Sequence, residues 1–266
     1  ILSICLIIGL FYFYIAPPSN FPADKIITIN SGDSLVQVSN SLKKGGIIRS
    51  TLVFNNLMIF MNREKSAISG EYFFPEPINA WTVTKRISSG DFGFPIKKIT
   101  IPEGTTILGI SRLIPGDFFN FKKEEFFKLA EGKEGYLFPD TYYFPINANA
   151  ENMIKSLEEN FEKKTISIKG EFLTSQKLFS DIIIMASILE EETKATKDRE
   201  IVSGILWKRL KLGMFLQIDA PLSYAIGGNT FELTLKDLRT DNPYNTYTHK
   251  GLPPAPISNP GLAAIE

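Results

Sequence analysis

Three successive glutamates, Glu190-Glu191-Glu192, close a stretch (residues 182–189) that is apolar at every position except Ser187. A helix apolar on all sides is one enclosed by protein, so these carboxylates stand where such an interior meets water. A carboxyl group at that margin loses hydration of its charged form, which raises its pKa and suits it to pass a proton near neutral pH. Successive helical residues are turned by about 100°, so the three fan over roughly 200° and cannot share one direction. At least one faces whatever the buried run faces. The pattern leaves open which one, and it equally fits a buried helix ending in a solvated acidic turn.

The rest of the inventory points the same way. One cysteine, Cys5, and one histidine, His249, among 266 residues exclude an internal disulfide and leave too few ligands for a Cys/His metal site. They also exclude Cys/His and Ser/His/Asp catalysis unless His249 acts alone. No metal or cofactor is expected; carboxylate chemistry is what remains. The 29 basic and 29 acidic residues cancel to a net charge of +0, and no basic stripe with interleaved aromatics stands out, so nucleic acid is not an expected partner.

Residues 1–16 (ILSICLIIGLFYFYIA) carry no charge and are mostly apolar. They read as part of a single membrane anchor that starts further upstream, with Tyr12 and Tyr14 near one interface; a cleaved signal peptide is the competing reading. Residues 17–24 form a Pro-containing linker. Residues 25–29 alternate like a strand, Ser31-Gly32-Asp33-Ser34 turns the chain, and Asp33 or Ser34 caps a helix through Leu35, Val38 and Leu42 that Gly45-Gly46 ends. A second helix follows over 51–62. The strand and turn recur at 98–111, which suggests a duplicated small unit. Two aromatic segments, 69–75 and 134–145, echo each other, and each predicts a short strand or extended loop before a helix. Helices are expected near 81–87, over 155–164, over 198–212 with Asp198 as cap and Gly213 as stop, over 221–226 with Asp219 or Ala220 at its leading edge, and around Asp237. Residues 242–261, rich in Pro, Asn and Tyr, read as a rigid loop carrying function.

The Gly-Asp-Ser-Leu of the first unit resembles the opening of a LysM module, a class that binds glycans rich in N-acetylglucosamine, though it is also an ordinary turn and cap. Four longer motifs carry a more specific resemblance: Glu134-Gly-Tyr-Leu-Phe-Pro-Asp-Thr-Tyr142, Ala186-Ser-Ile-Leu-Glu190-Glu-Glu-Thr193, Leu216-Gln-Ile-Asp219 and Asn245-Thr-Tyr-Thr-His-Lys-Gly-Leu-Pro-Pro254. In this order they are similar to the YceG-like endolytic murein transglycosylases. That resemblance implies an inner-membrane protein with a periplasmic body that cuts nascent peptidoglycan strands internally. It places the catalytic glutamate on Glu190 and puts Gln217, Asp219, Tyr224, Asn245 and Tyr247 on the substrate side, while Glu191 and Glu192 are expected in solvent.

The implied chemistry is transfer of the Glu190 proton to the glycosidic oxygen between N-acetylmuramic acid and N-acetylglucosamine, then closure of the muramic C6 hydroxyl onto C1. A hydrolase of the same bond would need a partner carboxylate, for which Asp219 and Asp140 are the candidates. A non-catalytic glycan-binding or scaffold role in the wall-synthesis machinery is the third reading. Cell-wall synthesis proteins are then possible partners. For Asp219 a helix cap is an equal alternative, and Lys194, one turn past Glu190, reads as a simple ion-pair partner. Two departures are visible: Ala220-Pro221-Leu222 differs from the usual continuation after Gln-x-Asp, and family members run on past Pro260-Gly261, so part of the cleft is expected to lie beyond this chain. The expected fold is α+β: a small duplicated LysM-like α/β portion (25–97) followed by a mainly helical catalytic domain (98–266), with an N-terminal transmembrane helix.

Overall fold

The computed structural model describes residues 9, 12–61, 67–172, 177–193, 195–227 and 233–266, and within it the chain divides into two units, Ile1–Pro95 and Ile96–Glu266. In the first, β1 (Lys25–Ile29) leads to α1 (Leu35–Lys44), α2 (Thr51–Phe60), β2 (Gly70–Phe74) and α3 (Ala80–Ser89). Alternation sets which strand residues face inward: Ile27 and Ile29 of β1 and Tyr72 and Phe74 of β2 are buried, and β1 pairs antiparallel with β2 in the register Ile27↔Tyr72. They pack on Val38, Leu42, Phe54, Met58, Val83 and Ile87 from the three helices. Of the two expected caps for α1, Ser34 is the one used, in a reciprocal capping box with Gln37. Asp33 instead accepts the Asn30 N–H at 2.8 Å and closes the turn.

The second unit repeats this order. β3 (Ile96–Thr100), α4 (Ile107–Leu113), α5 (Lys123–Ala130), β4 (Thr141–Pro145) and α6 (Ala150–Phe172) follow one another, and β3 pairs antiparallel with β4 in the register Ile99↔Tyr142. The likeness seen in one strand and turn therefore extends over five elements. Each aromatic segment supplies the strand that pairs with the first strand of its own unit, because bulky residues on one strand face cover the sheet.

The second unit then adds α7 (Phe179–Glu192), α8 (Thr196–Lys211), α9 (Asp219–Ile226), a 3₁₀ turn (Asp237–Arg239) and α10 (Leu262–Ile265). Every residue from 182 to 189 is buried. Ile184, Met185, Ile188 and Leu189 pack with Leu206, Leu216, Ile218 and Ile257, while Ile182, Ile183 and Ala186 pack with Phe138, Phe161 and Ile265. Ser187, the polar exception, donates to the Ile184 carbonyl at 2.7 Å and accepts the Ile257 N–H at 3.0 Å. Its carbonyl takes the Ser258 hydroxyl at 3.3 Å. The hydroxyl in an otherwise apolar run thus satisfies the backbone of the long loop lying along α7.

Two expected caps are not made. The N-cap of α8 is Ala195, without a side-chain bond, and Asp198 sits in the first turn, where its charge complements the helix dipole instead. α9 starts at Asp219 itself, which likewise caps nothing. Most of the expected anchor, and Lys194, fall outside the described residues. Among the described residues no helix is long and apolar enough to cross a membrane.

Candidate functional site

The last turn of α7 sends its three carboxylates to three different neighbours, as the helical period requires. Glu190 turns inward: Oε1 accepts from Arg199 Nη2 of α8 at 3.1 Å, and Oε2 accepts the Gly261 N–H at 2.9 Å. Both side chains of this ion pair are only 9% exposed. Arg199 is held further by a 3.2 Å bond from the same nitrogen to the Thr193 carbonyl. Gly261 fits here because a Cβ on it would lie 1.9 Å from the Glu103 carboxylate.

Glu191 and Glu192 are exposed, as expected of the two carboxylates assigned to solvent. The Glu191 carboxyl nevertheless has protein on one side. Glu191 lies beside Gly104, whose added Cβ would come 2.9 Å from its Oε1 and 3.4 Å from Glu190 Cγ; with φ at +76°, that position suits glycine alone. Burial pushes the Glu191 carboxyl up, against a hydrogen bond from Ser258, and the neighbouring glutamates add to the rise. Burial and the charge of Asp219 push Glu192 up as well.

The residues expected on the substrate side separate into distinct groups. Tyr247 donates to Asp219 Oδ1 at 2.6 Å, so Asp219 holds a phenol at the edge of the acidic turn. Gln217 is exposed and has a left-handed φ of 54°; among the described residues only Asp24 shares this among non-glycines. Its N–H reaches the Thr246 carbonyl at 3.1 Å, and its Oε1 accepts from Arg209 at 3.3 Å. Asn245 is fully enclosed. Its Nδ2 donates to the Leu238 and Thr240 carbonyls and its Oδ1 accepts the Tyr247 N–H, so its amide shapes the loop and has no face toward a ligand. Asp140 caps the entry to β4: it accepts from Thr141 N–H and Asn160 and pairs with Lys164 at 3.3 Å. These bonds hold it below the usual carboxylate range. His249 faces Asp241 on the surface at 3.2 Å.

Tyr224 belongs to a site that the sequence reading did not assemble. Its hydroxyl donates at 3.1 Å to Glu134, which is buried and also accepts the Ile107 N–H at 3.1 Å and Asn259 Nδ2 at 2.8 Å. Burial pushes the Glu134 carboxyl up to about 7, outweighing the three donors that pull it down. Glu134, Tyr224 and Tyr244 line a cavity of about 900 Å³ together with Ile107, Phe127 and Ser223.

Asn259 links this cavity to the acidic turn: the same Nδ2 donates to the Thr105 carbonyl at 2.9 Å, and its backbone carbonyl accepts from Gly104, the residue against Glu190 and Glu191. The chain at 259–261 therefore holds both Glu134 and Glu190. Neither Glu134 nor Arg199 was read from sequence as a site residue. Glu134 carries the signal that marked Glu190, a carboxylate at the edge of an apolar run (136–138); Arg199 carries a different one, a charge seven residues before Leu206 on the buried face of its helix. Among the described residues no three His, Cys, Asp or Glu side chains converge to hold a metal.

Fold and site together define an α+β protein whose chemistry-bearing groups are carboxylates held at the edge of a helical core. The chain matches the model of the YceG-like family over residues 27–266 and belongs to that family. It is similar to an endolytic murein transglycosylase of Bacillus subtilis, 28% identical over 90% of this chain and 74% of that protein. It is also similar to an endolytic murein transglycosylase of Streptococcus pneumoniae, 26% identical over 94% of this chain, of whose length it spans 53%. A crystal structure of a YceG-like protein from Listeria monocytogenes matches with a TM-score of 0.58 at 27% identity, covering 91% of this chain and 88% of that one.

Proposed function

We propose that this protein is a lytic transglycosylase that cuts the N-acetylmuramic acid–N-acetylglucosamine bond within peptidoglycan strands and leaves 1,6-anhydro ends. The observation that carries the reading is the placement of Glu190: it follows a helical run buried at every position from 182 to 189, and its side chain is turned away from bulk solvent and held at both oxygens. In the first half of the reaction Glu190 protonates the glycosidic oxygen while positive charge develops at the muramic C1. The carboxylate left behind is the form that Arg199 and the Gly261 N–H stabilise. Kept aligned by them, it takes the proton of the C6 hydroxyl as that oxygen closes onto C1. No water is consumed, so no second carboxylate has to activate one. Asp140, tied up at β4, and Asp219, engaged by Tyr247, fit roles in structure and positioning. Asp219, Tyr224, Tyr247 and the exposed Gln217 are the residues of the expected substrate set that retain surface.

The strand–helix–helix–strand order of the first unit supports a LysM-like, glycan-holding role for residues 25–97. With the apolar stretch at 1–16 as a membrane anchor, the body lies in the periplasm beside nascent glycan, within reach of wall-synthesis proteins. Mass spectrometry of purified glycan strands after incubation tests the activity. Anhydro ends are expected from the parent, and Glu190→Gln is expected to lower their rate by about 100-fold or more. Reducing ends in their place would mean a hydrolase. Undiminished cutting by Glu190→Gln would remove Glu190 from the role of acid, and no cutting by either protein would leave a glycan-binding scaffold.

A further inference from the structure

We propose that the cavity beside Glu134 is a subsite for one N-acetylated hexose of the glycan, with Ser223 as a hydrogen-bonding group and Tyr224, Tyr244 and Phe127 as its apolar walls. The polymer's identity rests on the transglycosylase reading; the site itself rests on the following geometry.

Ser223 carries the first observation. It lies on α9 with only 5% of its surface exposed, it lines the cavity, and its Oγ has no hydrogen-bond partner. Elsewhere in this protein buried helical hydroxyls turn back to a carbonyl three or four residues earlier, as Ser187 does to Ile184, Thr84 to Ala80 and Thr165 to Phe161. Ser223 makes no such bond. A buried polar atom without a partner calls for a group from outside the chain.

The walls suit a sugar ring. Tyr224 and Tyr244 sit with ring centroids 5.7 Å apart at 51°, giving two inclined aromatic surfaces, and Phe127 presents a third with 37% of its surface exposed. Aromatic faces bounded by polar tips match the alternating C–H and hydroxyl faces of a pyranose. Glu134 fixes the arrangement from behind by accepting the Tyr224 hydroxyl, while Lys128 and Glu131 stand among the lining residues with opposite charges. At about 900 Å³ the space falls in the range of ligand sites that enclose a small molecule. Because Asn259 couples Glu134 to the backbone beside Glu190, a ring seated here would hold the strand in a defined relation to the acid.

The test uses the full chain carrying Glu190→Gln, so that binding is read without cutting, and a peptide-free tetrasaccharide of alternating N-acetylglucosamine and N-acetylmuramic acid as probe. Calorimetry is expected to show saturable binding, weakened roughly tenfold by Ser223→Ala and by Tyr244→Ala. Ser223→Ala removes no internal hydrogen bond, so its thermal midpoint is expected to match the parent, which separates lost binding from lost folding. Phe127→Ala, at an exposed position, serves as a second such variant and is expected to weaken binding as well. Undiminished affinity in all three variants, binding of free stem peptide in place of the sugar, or no binding by the Glu190→Gln protein would each overturn the proposal. Anhydro products formed by the otherwise unaltered chain in the face of any of those results would show that the subsite had failed and the transglycosylase reading had not.

Discussion

At Glu134 the loss of water outweighs three hydrogen-bond donors, and the consequence is a pH dependence opposite to that of most carboxylates. The group keeps its proton in the folded protein up to about pH 7, against an ordinary value of 4.5. Below both values folded and unfolded chains are equally protonated at this site. Between them the unfolded chain has released its proton and the folded chain retains it, so the site's contribution to stability is lost as pH rises toward 7, by roughly 3 kcal/mol in all. Glu134→Gln cannot titrate. Urea unfolding at pH 5 and pH 7.5 is therefore expected to show a larger fall in stability for the parent than for Glu134→Gln, other groups contributing equally to both. Identical falls would mean that residue 134 is ionised throughout this range.

Between elements, the Arg199–Glu190 pair joins α8 to the end of α7, where both side chains are nearly out of water. Removing one partner leaves a charge enclosed without its counterpart. Arg199→Met is expected to destabilise the protein by roughly 3–5 kcal/mol. Adding Glu190→Leu to it removes the orphaned charge, so the double variant is expected to be more stable than Arg199→Met alone, a coupling that a double-mutant cycle measures directly. Strict additivity of the two losses would show that the pair is not energetically linked. Ser187 joins elements in the same way: a hydroxyl that breaks an apolar run accepts the Ile257 N–H, and the carbonyl of the same residue accepts the Ser258 hydroxyl.

For the whole molecule, each unit encloses its own core. Ile27, Leu42, Phe54, Tyr72 and Val83 belong to the first, and every group discussed around Glu190 and Glu134 belongs to the second. A chain of residues 96–266 is accordingly expected to unfold cooperatively with native helical circular dichroism and to form anhydro ends, while binding long glycan strands more weakly than the full protein. A broad, non-cooperative melt from that shorter chain would show that the second unit depends on the first.

How much of this was legible in the sequence follows from the range over which each feature is determined. The restriction to carboxylate chemistry, the enclosed run before Glu190, the strand–turn repeat and most helices rest on composition and on periods of two or 3.6 residues, which neighbouring residues set among themselves. The destinations of the carboxylates do not. Glu190 meets Gly261 across 71 residues and Glu134 meets Asn259 across 125, and no local period encodes such encounters. Burial likewise turned Asn245 from an expected ligand contact into a brace for its loop, and raised Glu134 from part of a motif to the wall of a cavity. Composition restricts the groups able to act to carboxylates. Only the packing decided which of those groups lost their water and what each of them faces, because desolvation is a property of the enclosing structure and not of the residue.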